Sequence, residues 1–262
     1  MRCKFCNARL ADHDIWCVEC GKQTTVPGRD LSALASLKST WQSFKTRKSE
    51  SVPSGALALF LGIVPMILLT WLFRSYIQLP SDTGIQVILS SLIKALSYSI
   101  FMPFILVSFV CIQDRSIAKF SHVDYLRALR SYPGYFVFSL LTTSFLVLIH
   151  VICFGLPKFG SDPILRLVWI VLINYWAAIT MPAAALMGIK NASPIKAISM
   201  SYSHFHDVRW NIWLLALILV LINGLAAVLA LVGLVITLPL SWFVISDYTW
   251  KLVDFELLEY RR

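Results

Sequence analysis

Apolar residues in this chain gather into long unbroken runs, and short basic stretches separate the runs. The first run, Ala56 to Phe73, is about as long as a helix needs to be to cross a 30 Å hydrocarbon core. Pro65 within it predicts a kink. The second lies within Ile85 to Ile112, is longer than a span requires, and carries Lys94. If hydrocarbon begins near Ile93, Lys94 snorkels to the outer interface and Ile85 to Leu92 extend the helix into water. A buried functional lysine is the competing reading. The third and fourth runs, about Tyr135 to Leu156 and Ile164 to Met187, flank the turn Pro157 to Pro163. From Ile212 to Trp250 the chain stays apolar for nearly 40 positions, too many for one crossing. Gly233 divides it into spans at about Ile212 to Val232 and Leu234 to Trp250, with a re-entrant hairpin as the alternative for the last. The pattern therefore predicts an all-α polytopic membrane protein of about six transmembrane helices.

The polar stretches have their own periodicity. Asp30 is a suitable N-cap, and Leu31, Leu34, Leu37, Trp41 and Phe44 recur at steps of three and four, which predicts an amphipathic juxtamembrane helix in the linker 24–55. With Lys38, Lys45, Arg47 and Lys48 on or beyond its polar side, it suits an anionic leaflet, although a partner-binding helix has the same pattern. A second short helix is predicted ahead of Pro133-Gly134. A third begins at Ser193, with Pro194 at its first helical position. Each precedes a two-span hairpin, so a basic helix and a hairpin recur three times without residue identity among the units.

Composition narrows the class. At 58% hydrophobic and 14% charged, the chain is not a water-soluble globule. A net charge of +9 would suggest nucleic-acid binding in a soluble domain. Here the basic residues follow the membrane. Six spans with an inner N-terminus place fourteen Lys and Arg between Lys38 and Arg262 on the cytosolic side, against Arg74, Lys94, Lys158 and Arg166 outside. The expected location is the cytoplasmic (inner) membrane, with both termini and a tail at 251–262 in the cytosol; no nucleic-acid partner is expected. No secretory signal peptide is expected either, because the first 50 or so residues lack a short apolar segment with a cleavage site.

The chemistry is concentrated at the start. Cys3-x-x-Cys6 and Cys17-x-x-Cys20 form two thiolate knuckles ten residues apart, a spacing that lets a short hairpin gather four sulfurs around one ion. Asn7 and Gly21 follow the second cysteine of each knuckle, where a left-handed backbone is tolerated. Phe5 and Trp16 can cover a site with almost no other core, so metal ligation would supply most of its stability. Residues 1–23 resemble the short zinc-ribbon module found at the termini of many bacterial and archaeal proteins. That resemblance implies a structural zinc held by Cys3, Cys6, Cys17 and Cys20, with Asn7 standing where glycine is usual. Four protein ligands leave no open position for water, so the implied metal is structural. A redox pair or a rubredoxin-like iron site are the competing uses. His13 reads as a loop residue, and His204 and His206 point about 200° apart on a helix, which disfavours a second metal there.

Within the apolar runs the polar residues are few. His150, Asn174 and Asn223 read as interhelical hydrogen-bond partners, or as the lining of a polar pathway. Asp247 is the sole carboxylate in the expected spans, and no hydrolytic or phosphate-binding motif is present, so no enzyme activity is expected. Cys111 and Cys153 fall at opposite membrane ends, too far apart to pair. Residues 182–250, with Pro194-x-x-Ala197, Asn223-Gly224 and Gly233 to Pro239, resemble poorly characterised bacterial polytopic membrane domains, including some joined to glycerophosphodiesterases; the likeness implies a fold, not a catalytic site. The expected role is an accessory or scaffold subunit of a membrane assembly. Its zinc ribbon would dock a protein partner or a second copy. A small transporter or lipid-handling protein is the alternative.

Overall fold

The computed structural model describes residues 33–76, 83–113, 122–154, 163–229 and 231–254. The expected zinc ribbon at 1–23 and the residues from 255 onward lie outside the described residues. Helices account for nearly all of the rest. They are α1 (Ala33–Thr46), α2 (Lys48–Leu57), a π-helical segment (Ala58–Ile63), α3 (Val64–Tyr76), α4 (Thr83–Gln113), α5 (His122–Ala128), α6 (Tyr132–Phe154), α7 (Pro163–Lys190), α8 (Pro194–Leu229) and α9 (Leu234–Asp254). Short 3-10 turns precede α6 and α9. Among the described residues six helical stretches are long and apolar enough to cross a membrane: Lys48–Phe73, Ile88–Ile112, Asp124–Phe154, Pro163–Lys190, Trp210–Leu229 and Leu231–Val253. The molecule is an all-α polytopic membrane protein.

Local chemistry explains the departures from regular helix. Pro65 has no N–H and its ring crowds the carbonyl four residues back. The chain answers by widening one turn, so that the Val64 N–H reaches back five residues to the Leu59 carbonyl. Asn191 takes a left-handed backbone (φ 49°) at the end of α7, and the Ala197 N–H bonds the Ser193 carbonyl. Ser193 therefore caps α8, with Pro194 first in the helix as expected. The predicted third short helix is not separate, however. Once capped, nothing between Pro194 and Leu229 breaks the helix, and the two elements are one 36-residue rod. Likewise Pro133-Gly134 does not end a helix. Pro133 falls in the first turn of α6, where its missing N–H costs nothing.

Small residues let the helices approach. On α4, Ser97, Ser99 and Ser108 are fully buried, and Ser99 Oγ lies 2.7 Å from Thr143 Oγ1 of α6. Such contacts replace the hydrophobic drive that is missing between helices in lipid. Ser201 Oγ of α8 donates to the Ile179 carbonyl (2.6 Å), and Asn174 Nδ2 of α7 donates to the Trp213 carbonyl (3.2 Å). Both bonds tie α7 to α8, twelve residues apart on α8 and five apart on α7. Aromatic pairs fill the α6–α7 interface nearer its far end, with Phe145 and Trp176 stacked at 4.0 Å.

The juxtamembrane helix α1 docks differently from expectation. Its inner face is Ala33, Ser36, Thr40 and Phe44, all buried, while Leu34, Lys38, Trp41 and Lys45 are exposed on the opposite face. Small side chains win the contact because α9 lies alongside: Phe44 meets Phe243 edge-on, and Lys251 Nζ reaches Ser36 Oγ at 3.2 Å.

Candidate functional site

Among the described residues no group of three or more His, Cys, Asp or Glu is placed to hold a metal. Cys3, Cys6, Cys17 and Cys20 lie outside the described residues, as do His13 and the side chains of His204 and His206. Cys111 and Cys153 are buried and free; Cys111 Sγ donates to the Val107 carbonyl at 3.3 Å. Neither has the electropositive, exposed setting of a reactive thiol.

The three polar candidates within the helices occupy three different helix pairings. His150, on α6, packs its ring against Phe154 (5.0 Å between centroids) and Trp169 of α7 (5.9 Å). Asn174 joins α7 to α8 through its bond to the Trp213 carbonyl, and its Oδ1 is buried without a partner. Asn223 joins α8 to α9: its Nδ2 donates to Ser241 Oγ (2.7 Å) and to the Leu219 carbonyl (2.8 Å). Ser241 in turn donates to the Thr237 carbonyl at 2.7 Å. The structure brings none of the three together, and each acts where it stands as a tie between neighbours. Lys94 is exposed on α4, in keeping with a snorkelling lysine.

This arrangement makes a prediction for Asn174. Leucine there would remove one 3.2 Å hydrogen bond and also one unpartnered buried oxygen. The two effects oppose each other, so Asn174→Leu is expected to change stability by no more than about 1 kcal/mol. Thermal unfolding in detergent checks this. A larger loss would mean that the side chain does more than join two helices.

A polar cluster that the sequence reading passed over sits at the junction of α1 and α2. Arg47 donates through Nε (2.8 Å) and Nη2 (2.6 Å) to Oε2 of Glu50, and Glu50 is 4% exposed. The guanidinium carbon of Arg47 lies 5.2 Å from the ring centre of Phe243 on α9. Beyond it, Ser54 Oγ donates to the Ser108 carbonyl of α4 (2.5 Å), and on α9 Lys251 pairs with Asp247 at 2.8 Å. The local cause is helical spacing: Arg47 and Glu50 are three residues apart, on the face that α2 turns to α9. In the sequence Glu50 falls within the linker 24–55, where a charged residue reads as solvated. The available signal was a carboxylate three residues after an arginine and three before a proline, just ahead of an apolar run.

One cavity among the described residues is small. A water-sized space of about 10 Å³ lies between α7, α8 and α9, bounded by Met181, Pro182, Ile212, Leu215, Ala216, Ile245 and Tyr248. Its walls are apolar, and the hydroxyl of Tyr248, one of the lining residues, is buried without a hydrogen-bond partner. Such a space accommodates at most a single water. No family model matches this chain, and neither a curated protein nor a solved structure does.

Proposed function

We propose that this chain is a non-catalytic accessory or scaffold subunit of a membrane assembly in the cytoplasmic membrane, with both termini cytosolic. In this reading residues 1–23 fold as a zinc ribbon around one structural zinc bound by Cys3, Cys6, Cys17 and Cys20. The ribbon docks a cytosolic protein partner or a second copy. The observation that carries the reading is the use made of intramembrane polar groups: His150, Asn174 and Asn223 tie separate helix pairs and do not line one route. A transporter needs a continuous polar path or a site at mid-membrane. The rival, a small transporter or lipid-handling protein, draws on the prolines inside α4, α7 and α9. Of these, Pro182 borders the water-sized space.

Gentle purification followed by native mass spectrometry tests the proposal. The wild type should carry one zinc and a protein partner or second copy. The double change Cys3→Ser, Cys6→Ser should lose the zinc and either that partner or most of the protein's abundance. If the metal goes while copurifying proteins and abundance stay unchanged, the ribbon has no docking role and the scaffold reading fails.

A further inference from the structure

The α8–α9 hairpin is apolar even at its turn. From Gly224 through Ile236 no side chain can make a hydrogen bond, whereas the sequence segments 77–82 and 155–162 contain Gln78, Ser81 and Asp82, and Lys158, Ser161 and Asp162. An outer turn in water needs no such greasy apex. At the apex Val228 is 84% exposed, Leu229 76% and Val232 71%. The 3-10 turn Leu231–Gly233 closes it tightly, with Gly233 packed on Ala226.

The depth of α9 can be read against three other helices. Lys48, Gln113 and Lys190 end or begin α2, α4 and α7 on the same side of the bundle. Gly55, seven residues past Lys48, is so close to Val235 that a Cβ on it would run into the Val235 carbonyl. Phe109, four residues before Gln113, stacks on Trp242 at 5.8 Å. Met181 and Pro182, eight or nine residues before Lys190, border the same small space as Ile245 and Tyr248. At 1.5 Å per residue these contacts keep α9 within about 14 Å of all three helix ends. The first span continues for roughly 30 Å beyond Gly55. Meanwhile the far end of α9 runs beside α1, whose exposed Lys38 and Lys45 belong at headgroups or in water.

We infer that the α8–α9 hairpin enters the bilayer from the cytosolic side and turns back within it, its apex at Val228 to Val232 resting among the acyl chains of the inner leaflet. The apolar length of both arms and the wholly apolar turn fit hydrocarbon as the occupant of this surface. Four crossings and one re-entrant hairpin leave both termini on the same side, as six crossings would. The distribution of Lys and Arg therefore does not distinguish the two, and depth does.

The experiment uses the full chain in sealed right-side-out vesicles, with Val232→Cys compared with Ser161→Cys in the polar segment 155–162 that links the third and fourth apolar runs. A membrane-impermeant maleimide is added outside, and labelling is read on the individual peptide so that native thiols do not interfere. Ser161→Cys should react, and Val232→Cys should react about tenfold less or not at all, as a thiol kept from water must. In parallel, a phospholipid with a diazirine on its acyl chain should cross-link the Leu225 to Ile236 segment of the wild type. Reaction of Val232→Cys from outside overturns the inference. So does an unreactive Val232→Cys whose segment takes no lipid cross-link, because the apex would then be covered by protein.

Discussion

Gly55→Leu should be among the most damaging single changes in the membrane domain, costing about 3 kcal/mol or more and lowering the unfolding midpoint by about 5–10 °C. The reason is that the added side chain meets backbone. A Cβ at Gly55 would collide with the Val235 carbonyl and with Cγ of Pro239, and neither can rotate away. α2 and α9 would have to separate, and the Ser54 bond to the Ser108 carbonyl and the Arg47 contact with Phe243 flank the same seam. Gly62→Leu meets Ile105, a buried side chain that can change rotamer, so its cost should be intermediate. Gly224→Leu is the control. Nothing lies within 4 Å of a Cβ there, and replacing glycine inside a helix removes a propensity penalty of about 1 kcal/mol. It should be neutral or slightly stabilising. Thermal unfolding of the three variants in one detergent orders them. If Gly55→Leu unfolds with Gly224→Leu, the tight α2–α9 contact is absent from the folded protein.

Much of the architecture was legible because hydrocarbon selects strongly on composition. The apolar runs, the break at Gly233 and the Ser193-Pro194 start all correspond to elements of the structure. What could not be read was where one helix stops being a separate object. Pro194 to Leu229 is polar in its first half and apolar in its second, yet a helix backbone is indifferent to that change and continues through it. The orientation of α1 was hidden for a related reason. The apolar stripe Leu34, Leu37, Trp41 and Phe44 is the stronger periodic signal, but only Phe44 of it is fully buried; Leu34 and Trp41 are exposed, and Ser36 and Thr40 share the buried face with Phe44. Small residues that allow close approach, such as Gly55, look unremarkable until a neighbour is known. Of the candidate site, Asn223 and Asn174 were legible as ties, while their partners on α9 and α8 were not. The Arg47–Glu50 pair escaped notice because a charged pair beside a membrane boundary reads as solvated surface, where such pairs contribute little.

That pair is not on the surface, and the expected consequence is large. The side chain of Glu50 is 6% exposed and that of Arg47 19%. Arg47→Met should cost about 3–5 kcal/mol, because it strands a buried carboxylate with its strongest donor gone. Glu50→Leu should cost less, since the guanidinium keeps some solvent and its place over Phe243. The double change Arg47→Met, Glu50→Leu should recover most of the loss, to within about 1 kcal/mol of wild type, because an apolar pair of similar volume avoids desolvating two charges. Added salt should alter these differences little, as a buried pair is weakly screened. Hydrogen exchange supplies a local reading: α1 should lose protection in Arg47→Met and regain it in the double variant. The physical point is that α1 joins the bundle through small side chains, Phe44 and one charge pair at its base, so the pair controls how firmly α1 is held against α9. If the two single losses simply add in the double variant, the charges act independently and the pair is not what holds α1 against α9.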